Sequence, residues 1–428
     1  MNDSLREILE TPVSGAYDVV VAGGGPAGVA AAVCAARLGA RTCLVEQTGI
    51  VGGVATSGLM SHWTGNTRGG IYEEFLERSK DSDDPALRQT INPDRLQDAF
   101  LAMLAEAGAE LRLYTFTARP LMEDGRVAGV VCESKSGRQA LRAKVVVDAT
   151  GDGDVAARAG AAFELGRAGD HAMQPMTLMF KLGGVDTARA IFPPSFESTV
   201  EVPAGEIQAL GRAELPSPAG HVLLYRSTLP GVVTVNMTNC TGVDGTKAED
   251  LTRAQIACHA QIAPIVDFLR RRAPGYERCF VLSSAAQIGV RETRHFKGVE
   301  TITEEDILAA RVFPDWVVAK AHFNFDIHNV EGAGLDAHGC QHKFSQREGY
   351  TIPYGCLVPE ALDGLLLAGR SISGTHKACS NFRAMPICAN IGQAAGIAAA
   401  LAARAGVQPR AVPVADIQAE LRRQGVEP

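Results

Sequence analysis

The chain contains a short basic segment that could hold an anionic molecule. In the sequence GVRETRHFKG, Arg291 and Arg294 stand three residues apart and His295 follows at once. A guanidinium group can donate two parallel hydrogen bonds to a carboxylate, so two neighbouring arginines can bind an acid. The alternative is a structural ion pair, for example between Arg291 and Glu292. We therefore treat this segment as a candidate substrate site, with Arg291 as a candidate catalytic residue.

A second stretch, Tyr17 to Gln47, has the residue spacing of a nucleotide cradle. Three glycines follow the G-x-G-x-x-G spacing, which permits a tight turn, close approach of backbone to a pyrophosphate, and packing of a helix on a strand. Glu46 lies eighteen residues beyond the last of them, where a carboxylate can accept hydrogen bonds from ribose hydroxyls. The candidate contacts in this stretch are Gly23, Gly25, Pro26, Ala27, Gly28, Glu46 and Gln47.

The elements that must position these residues form one βαβ unit. Val19 to Val21 is a β-branched run typical of a buried parallel strand. Ala27 to Leu38 is small and apolar, which predicts a buried helix whose N-terminus offers N–H groups to a phosphate. Thr42 to Val45 predicts the second strand. Strand, turn, helix, strand and acid in this order predict a dinucleotide site, although this unit alone does not distinguish FAD from NAD.

The loop after Glu46 is rich in glycine and small residues. Gly52 and Gly53 permit close approach of the backbone to a flat ligand, and Thr56 and Ser57 offer hydroxyl groups. This loop, in its place after the acid, resembles FAD-dependent oxidoreductases of the two-dinucleotide-domain class, with a glutathione reductase-like FAD fold, in the branch of fumarate reductase and succinate dehydrogenase flavoproteins. The resemblance implies that the loop follows the FAD pyrophosphate and passes beneath the flavin, which would place His62 near the ring.

Two further motifs extend the resemblance. Ala149-Thr150-Gly151 after the strand Val145 to Val147 resembles the turn that this class places beside the FAD ribose, and Asp154 is expected to cap the next helix. The step AGR and the later GQAAG helix resemble the final FAD-binding element. The resemblance also implies a backbone contact to adenine near Ala118. The candidate FAD contacts added in this way are Gly53, Thr56, Ser57, Ala118, Thr150, Gly151, Asp152, Gly369, Arg370, Met385 and Pro386.

The resemblance implies hydride transfer at flavin N5. The substrate would lie between the ring and a cap, held by Arg291, Arg294 or Arg383, with His376 or His62 as acid or base. The electron acceptor could be oxygen, a quinone or a carrier protein. The alternatives are an FAD enzyme without net redox, such as a hydratase or isomerase, an electron-transfer subunit, and a nucleotide-sensing regulator. An arginine replaces the acid that the fumarate reductase pattern has after the final AG, so dicarboxylate specificity is not implied.

The predicted fold is α/β. It has a Rossmann-like FAD-binding domain with a parallel sheet, a small antiparallel insertion, and an inserted α+β substrate or cap domain. Tyr17 to Gly160 and Ile352 to Gly406 are expected to share one sheet. The predicted divisions are an N-terminal lead-in (1–15), the first part of the FAD-binding domain (16–164), the cap (165–350), the second part of the FAD-binding domain (351–410) and a C-terminal tail helix (411–428).

The composition narrows the classes of partner. The 428 residues include 41 basic and 48 acidic side chains, a formal charge of -7, so we expect no nucleic-acid binding. We expect no membrane span, because no apolar run approaches the roughly 20 residues that a bilayer needs. We also expect a cytoplasmic location. A small-molecule substrate is expected, and the protein could form a homo-oligomer.

The ten cysteines are scattered along the sequence. His338, Cys340 and His342 form a poor zinc signature, so no metal is predicted.

Overall fold

The computed structural model describes residues 6–196, 198–336 and 349–428. The strands are β1 (Val13–Ala22), β2 (Thr42–Val45), β3 (Glu110–Arg112), β4 (Thr115–Glu123), β5 (Arg126–Ser134), β6 (Gly137–Asp148), β7 (Phe163–Leu165), β8 (Phe180–Gly183), β9 (Glu201–Val202), β10 (Gly205–Glu206), β11 (Leu224–Arg226), β12 (Val233–Val235), β13 (Phe280–Ser284), β14 (Arg294–Phe296), β15 (Trp316–Ala321), β16 (Tyr350–Pro353) and β17 (Leu365–Leu367). The α-helices are α1 (Pro26–Arg37), α2 (Ile71–Arg78), α3 (Pro93–Ala107), α4 (Asp154–Arg158), α5 (Ile207–Glu214), α6 (Ala248–Arg272), α7 (Glu304–Leu308), α8 (His376–Phe382), α9 (Met385–Ala405) and α10 (Val414–Arg423).

The largest sheet has the strand order β3-β2-β1-β6-β5-β4, with β17 paired to the end of β6. Its β1–β2, β1–β6, β2–β3 and β6–β17 pairs are parallel, whereas β4, β5 and β6 form antiparallel hairpins. Val20 stands opposite both Cys43 and Val146 in the register. Residues 19–22 of β1 and the whole of β2 are buried on both faces, as their continuous apolar runs predict. The predicted α/β class with a Rossmann-like sheet and a small antiparallel insertion is confirmed.

The two ends of the chain meet in this sheet through one strand. Leu365 pairs with Val146 and Leu367 with Asp148, as the sequence predicts for the strand before AGR. The expectation for the whole of Ile352 to Gly406 was wrong in one respect, because β16 pairs with β15 in a separate two-stranded sheet. The apolar pattern of β16 fixes burial but does not specify which neighbour supplies its hydrogen bonds.

The buried apolar residues form two cores. One surrounds the large sheet and includes Phe296, Trp316 and Phe325, which come from the predicted cap. The other packs α6 against the four-stranded antiparallel sheet β11-β12-β8-β13. Residues 296–325 therefore pack with the large sheet although they lie within the predicted cap. The proposed divisions at residues 165 and 350 stay predictions.

Helix α9 packs closely on α1, which carries the glycine-rich turn. A Cβ atom on Gly392 would lie 2.0 Å from the carbonyl oxygen of Ala27, and one on Gly396 would lie 2.2 Å from that of Ala31. Contrary to the expectation that no apolar run is long enough, α9, with 21 residues and a mean hydropathy of 1.4, has the length and composition to cross a membrane. Its apolar window is 100% buried inside the protein, so the helix has the environment of a core helix.

Helix α4 begins differently from the prediction. Its N-cap is Gly153, with a φ of 66° and no side-chain cap, so the assignment of Asp154 as a cap was wrong. The carboxylate of Asp154 instead accepts a hydrogen bond of 2.9 Å from Nη1 of Arg294. An aspartate at the first helical position was mistaken for the cap because both positions favour an acidic residue.

Candidate active site

In the glycine turn between β1 and α1, only Gly25 has free space where a side chain would point. A Cβ on Gly23 would lie 2.5 Å from the carbonyl oxygen of Ala149, and one on Gly28 would lie 1.8 Å from that of Gly23. A Cβ on Gly25 would meet nothing within 4 Å. Gly25 is the N-cap of α1 and provides no side-chain cap, and Pro26 follows in the first turn with Ala27. The turn thus presents an open surface and helix N–H groups, which suit a phosphate.

Glu46 lies at the end of β2 beside this turn. Its Oε2 accepts a hydrogen bond of 2.7 Å from the N–H of Gly24, and its Oε1 accepts one of 2.8 Å from Thr48. A carboxylate has about four acceptor positions, so it can accept ribose hydroxyls as well. Gln47, the next predicted contact, is exposed at the surface.

The loop from Val51 to Gly58 lies against the glycine turn. A Cβ on Gly53 would lie 3.2 Å from Cα of Gly25. The predicted hydroxyl contacts stabilise the loop itself, because Oγ1 of Thr56 donates to the Val51 carbonyl at 2.7 Å and Oγ of Ser57 donates to the Gly53 carbonyl at 2.9 Å. The loop is therefore held in place by its own hydrogen bonds, next to the predicted pyrophosphate position.

The turn after β6 is joined to the turn after β17 by an ion pair. Nη2 of Arg370 donates to Oδ1 of Asp152 at 2.6 Å, and Thr293 donates to the same oxygen at 2.7 Å. Gly151 has a φ of 88° and Gly369 a φ of 84°, a region that favours glycine. Thr150 donates its hydroxyl to Asp148. These five predicted contacts come together with the glycine turn at the carboxyl ends of the parallel strands.

The other predicted cofactor contacts lie on either side of this edge. The register of β4 on β5 passes from Thr117–Cys132 to Arg119–Val131, so Ala118 is the extra residue of a β-bulge. Met385 and Pro386 form the first turn of α9, whose N-cap Ala384 provides no side-chain cap. Buried Nε of Arg370 has no hydrogen-bond partner among the described residues. Open donors and an open turn fit an elongated anionic dinucleotide such as FAD.

A cavity of about 550 Å³ opens beside the loop and the start of α9. It is bordered by residues from both cores, which places it between the large sheet and the antiparallel sheet. Three of the four predicted catalytic residues line it, together with the predicted cofactor contacts Arg370 and Met385. The lining side chains that can carry chemistry are His62, Tyr225, Arg226, Arg291, Asp326, His328, Arg370 and Arg383.

The cavity lining has more arginine side chains than carboxylates. Arg383 donates to Oδ2 of Asp326 at 2.7 Å, and Nε2 of His328 lies 3.3 Å from Oδ1 of the same carboxylate. Arg291 donates to the carbonyl of Pro175, and no carboxylate of the described residues lies within ion-pair distance of it. Burial and the neighbouring charge of Arg383 together lower the pKa of Arg291 to about 10. Arg291 therefore has no carboxylate in direct contact among the described residues, although the charge of Asp326 acts on it from a longer distance.

The histidines and the tyrosine of the cavity are held in their neutral forms. Burial lowers the pKa of His62 to about 4, and burial with the charge of Arg291 lowers that of His328 to about 4. Nδ1 of His62 lies 2.7 Å from Oγ of Ser61, and its ring centroid lies 4.7 Å from that of Tyr225. Burial raises the pKa of Tyr225 to about 12, so its hydroxyl group keeps its proton.

His376 lies apart from the described residues that line the cavity. It is the first residue of α8, and its Nδ1 contacts Oε1 of Glu292 in a buried cluster with His295. Its assignment as an acid or base stays a prediction. Arg294, which we grouped with Arg291, pairs with Asp154 and the backbone of Asp152. The triplet His338, Cys340 and His342 lies outside the described residues.

Two features of the site were missed by sequence reasoning. Asp326 received no role, although it stands between two histidines in HFNFDIH, a pattern that could have indicated a polar cluster. Tyr225 lies in a short strand without a recognisable motif. Both reach the cavity through contacts between segments more than fifty residues apart, for example Asp326 to Arg383.

Comparisons with known proteins agree with a flavin site. The family described as FAD dependent oxidoreductase matches residues 18–421. The chain is 33% identical to digeranylgeranylglycerophospholipid reductase 2 of Methanopyrus kandleri over 152 residues, which are 32% of this chain and 37% of that protein. It is 36% identical to the thiamine thiazole synthase of Aeropyrum pernix over 157 residues, 33% of this chain and 57% of that protein. The matches thus span 37% and 57% of these two relatives.

One solved structure shows the shared fold. The flavin-dependent brominase Bmp2 matches with a TM-score of 0.50 and 13% identity, over 95% of this chain and 83% of that chain. At this identity the likeness concerns the fold alone, so it adds nothing about the substrate.

Proposed function

This chain belongs to the family of FAD dependent oxidoreductases, and on that premise we propose that it transfers a hydride between flavin N5 and a small organic acid. The acid is bound in the cavity beside Arg291 and Arg383. The observation that carries the proposal is the unequal charge of the cavity lining. Arg383 pairs with Asp326, and Arg370 pairs with Asp152. Arg291 has no carboxylate within ion-pair distance among the described residues and shares the longer-range attraction of Asp326 with Arg383. One carboxylate thus faces two guanidinium groups, and a carboxylate on the substrate would balance the second.

The residues that would hold FAD are those at the carboxyl ends of the strands. They are the open turn at Gly25, the Glu46 carboxylate, the loop at Gly53 and the first turn of α9. When bound, FAD supplies the hydride chemistry at N5.

The chain's own residues would orient the substrate and move a proton. Arg291 and Arg383 direct N–H groups into the cavity, and a bidentate contact fixes the plane of a carboxylate. The neutral imidazole of His62 can accept a proton at Nε2, since Nδ1 is engaged with Ser61. Tyr225 keeps its hydroxyl proton and can donate a hydrogen bond. We therefore propose Arg291, Arg383 and His62 as the residues that touch the substrate.

The closer likeness to the fumarate reductase branch is also kept as a proposal. It is supported by three separate motifs: the loop at Gly53, the turn at Thr150 and the AGR step. Arg370 departs from that pattern, because the pattern has an acid at this position. Arg370 instead pairs with Asp152, so an acid from the turn after β6 lies close to the turn after β17. Two lining arginines lack a carboxylate in direct contact among the described residues, but Arg226 is exposed and lies over the Phe192 ring. Arg291 is then the candidate anchor inside the cavity, and a single anchor favours a monocarboxylate substrate.

Binding of inert acids to the FAD-loaded protein tests the proposal. Acetate, benzoate and their uncharged amides are titrated while the visible flavin spectrum is recorded. A charge-assisted hydrogen bond contributes about 1.5–3 kcal/mol, so R291Q should raise the Kd of the acids roughly 10- to 100-fold. R271Q is the matched control, because Arg271 pairs with Glu214 outside the cavity.

We expect saturable spectral changes with at least one acid in the wild type and in R271Q, and little change with its amide. Equal binding of acids and amides would contradict a cationic substrate site. Equal binding of acids by R291Q and the wild type would contradict the role of Arg291.

A further inference from the structure

Three side chains with metal-binding atoms converge outside the cavity. Oε1 of Glu292 lies 2.7 Å from Nε2 of His295 and also contacts Nδ1 of His376. The ligand atoms of all three lie within 4.8 Å of one another. Glu292 is 1% exposed and His295 is 7% exposed, while the His376 side chain is 14% exposed. This is a buried cluster of one carboxylate and two imidazoles.

Hydrogen bonding alone does not satisfy this cluster. Two imidazole nitrogens approach the same oxygen of Glu292, while its Oε2 accepts only a longer bond of 3.2 Å from the N–H of Gln174. Nδ1 of His295 is buried and makes no hydrogen bond of normal geometry among the described residues, although the Cys379 side chain interacts with this imidazole. A buried polar nitrogen without a partner costs free energy. A histidine that binds a metal through Nε2 is neutral, and its other nitrogen can then reach a water or a carbonyl by a small ring movement.

We propose that Glu292, His295 and His376 bind one divalent transition-metal ion of the Zn²⁺ type. Imidazole nitrogen and carboxylate oxygen are ligands that Zn²⁺ accepts at distances of about 2.0–2.2 Å. Atoms at tetrahedral positions around such an ion are about 3.4 Å apart. Nε2 of His295 lies 2.7 Å from Oε1 of Glu292, so it needs to move away from that oxygen by less than about 1 Å. The partly exposed His376 gives the ion a path of entry.

The ion would join two segments that carry the cavity arginines. Arg291 precedes Glu292 in the chain, and Arg383 is the C-cap of α8, which begins at His376. A metal between Glu292, His295 and His376 would fix these two segments relative to each other. This consequence rests on the proposed function, whereas the site itself does not. The three residues are positioning residues for the substrate site and lie outside its described lining.

Metal content of the untagged, FAD-loaded protein tests the site. The protein is treated with chelator, dialysed against Zn²⁺, separated from free ion by gel filtration and analysed for zinc by mass spectrometry. We expect about one zinc per chain in the wild type and less than a tenth of that in E292Q and H295N. H259N is the matched control, since His259 is an exposed histidine on α6 and should leave the ratio unchanged.

Less than a tenth of an equivalent in the wild type would overturn the proposal, as would equal zinc in wild type and variants. Retained FAD reports whether each variant is folded. A second measurement needs no variant: wild-type crystals soaked in Zn²⁺ should show anomalous difference density at the point shared by Glu292, His295 and His376. Density only at other places, or none, would overturn the proposal even if FAD and acids bind as proposed.

Discussion

Arg370 and Asp152 form an ion pair of 2.6 Å between turns that are 218 residues apart in sequence. The side chains are 20% and 19% exposed. The pair connects the turn after β6 to the turn after β17, and both turns lie at the carboxyl edge of the large sheet. The two ends of the chain are thus held together at the place where the FAD pyrophosphate is expected.

Breaking this pair from one side should destabilise the protein. R370Q leaves the Asp152 carboxylate without its cation in a mostly buried place, so we expect a loss of about 1–3 kcal/mol in the free energy of unfolding of the FAD-free protein. Urea unfolding measures it. The double variant D152N/R370Q, which removes both charges, should recover part of the loss. A stability of R370Q within about 0.5 kcal/mol of the wild type would show that the pair contributes little.

Two glycine variants of the same turn should have different effects. Gly25 has an extended conformation with a φ of -69°, and its Cβ would meet nothing, so G25A should fold normally. The added methyl group occupies the space offered to the pyrophosphate, and the Kd for FAD should rise about tenfold or more, which is about 1.4 kcal/mol.

G28A is the comparison, because its Cβ would lie 1.8 Å from the Gly23 carbonyl oxygen. Overpacking of this kind costs about 1–3 kcal/mol or more, so G28A should lower the unfolding midpoint of the FAD-free protein. Fluorescence titration with FAD and thermal unfolding separate the two effects. FAD binding to G25A with wild-type affinity would contradict the assigned pyrophosphate position.

Neutralising Asp326 should make the protein depend on added anions. D326N leaves Arg383 and Arg291 without an opposing charge in a largely buried place, and breaking such a pair costs about 3–5 kcal/mol. A carboxylate ligand would replace the lost charge. We expect a lower melting temperature for D326N and a larger stabilisation by acetate than in the wild type. Sodium chloride at equal concentration is the control for ionic strength, and equal shifts by acetate and chloride would argue against a carboxylate site.

His62 should contribute to acid sensitivity. Burial lowers its pKa from 6.5 to about 4, so below pH 6.5 the unfolded chain binds a proton that the folded protein does not. Stability from this residue is complete above pH 6.5 and is lost as the pH falls towards 4. H62Q should therefore lose less stability than the wild type between pH 7 and pH 5, by about 1–2 kcal/mol. Identical pH slopes of urea unfolding would contradict the lowered pKa.

The sequence predicted the parts of the site that depend on local pattern. The turn at Gly23 to Gly28 and the acid Glu46 follow from apolar runs and glycine spacing within one βαβ unit. The pairing of Leu365–Leu367 with β6 joins opposite ends of the chain and was expected from the resemblance of the AGR step to a final FAD-binding element. The partners of His376 and Asp326 could not be predicted in this way. His376 meets Glu292 across 84 residues, and Asp326 meets Arg383 across 57, so only the folded chain brings them together.

The most direct measurement of the central claim is an anaerobic spectral titration of the FAD-loaded protein against pairs of small acids and their amides. We expect at least one monocarboxylate to bleach the visible flavin absorbance, and its uncharged amide to leave the colour unchanged at the same concentration. A well-folded preparation that takes up no FAD would contradict the account. Bleaching by neutral compounds as effective as bleaching by acids would contradict it as well.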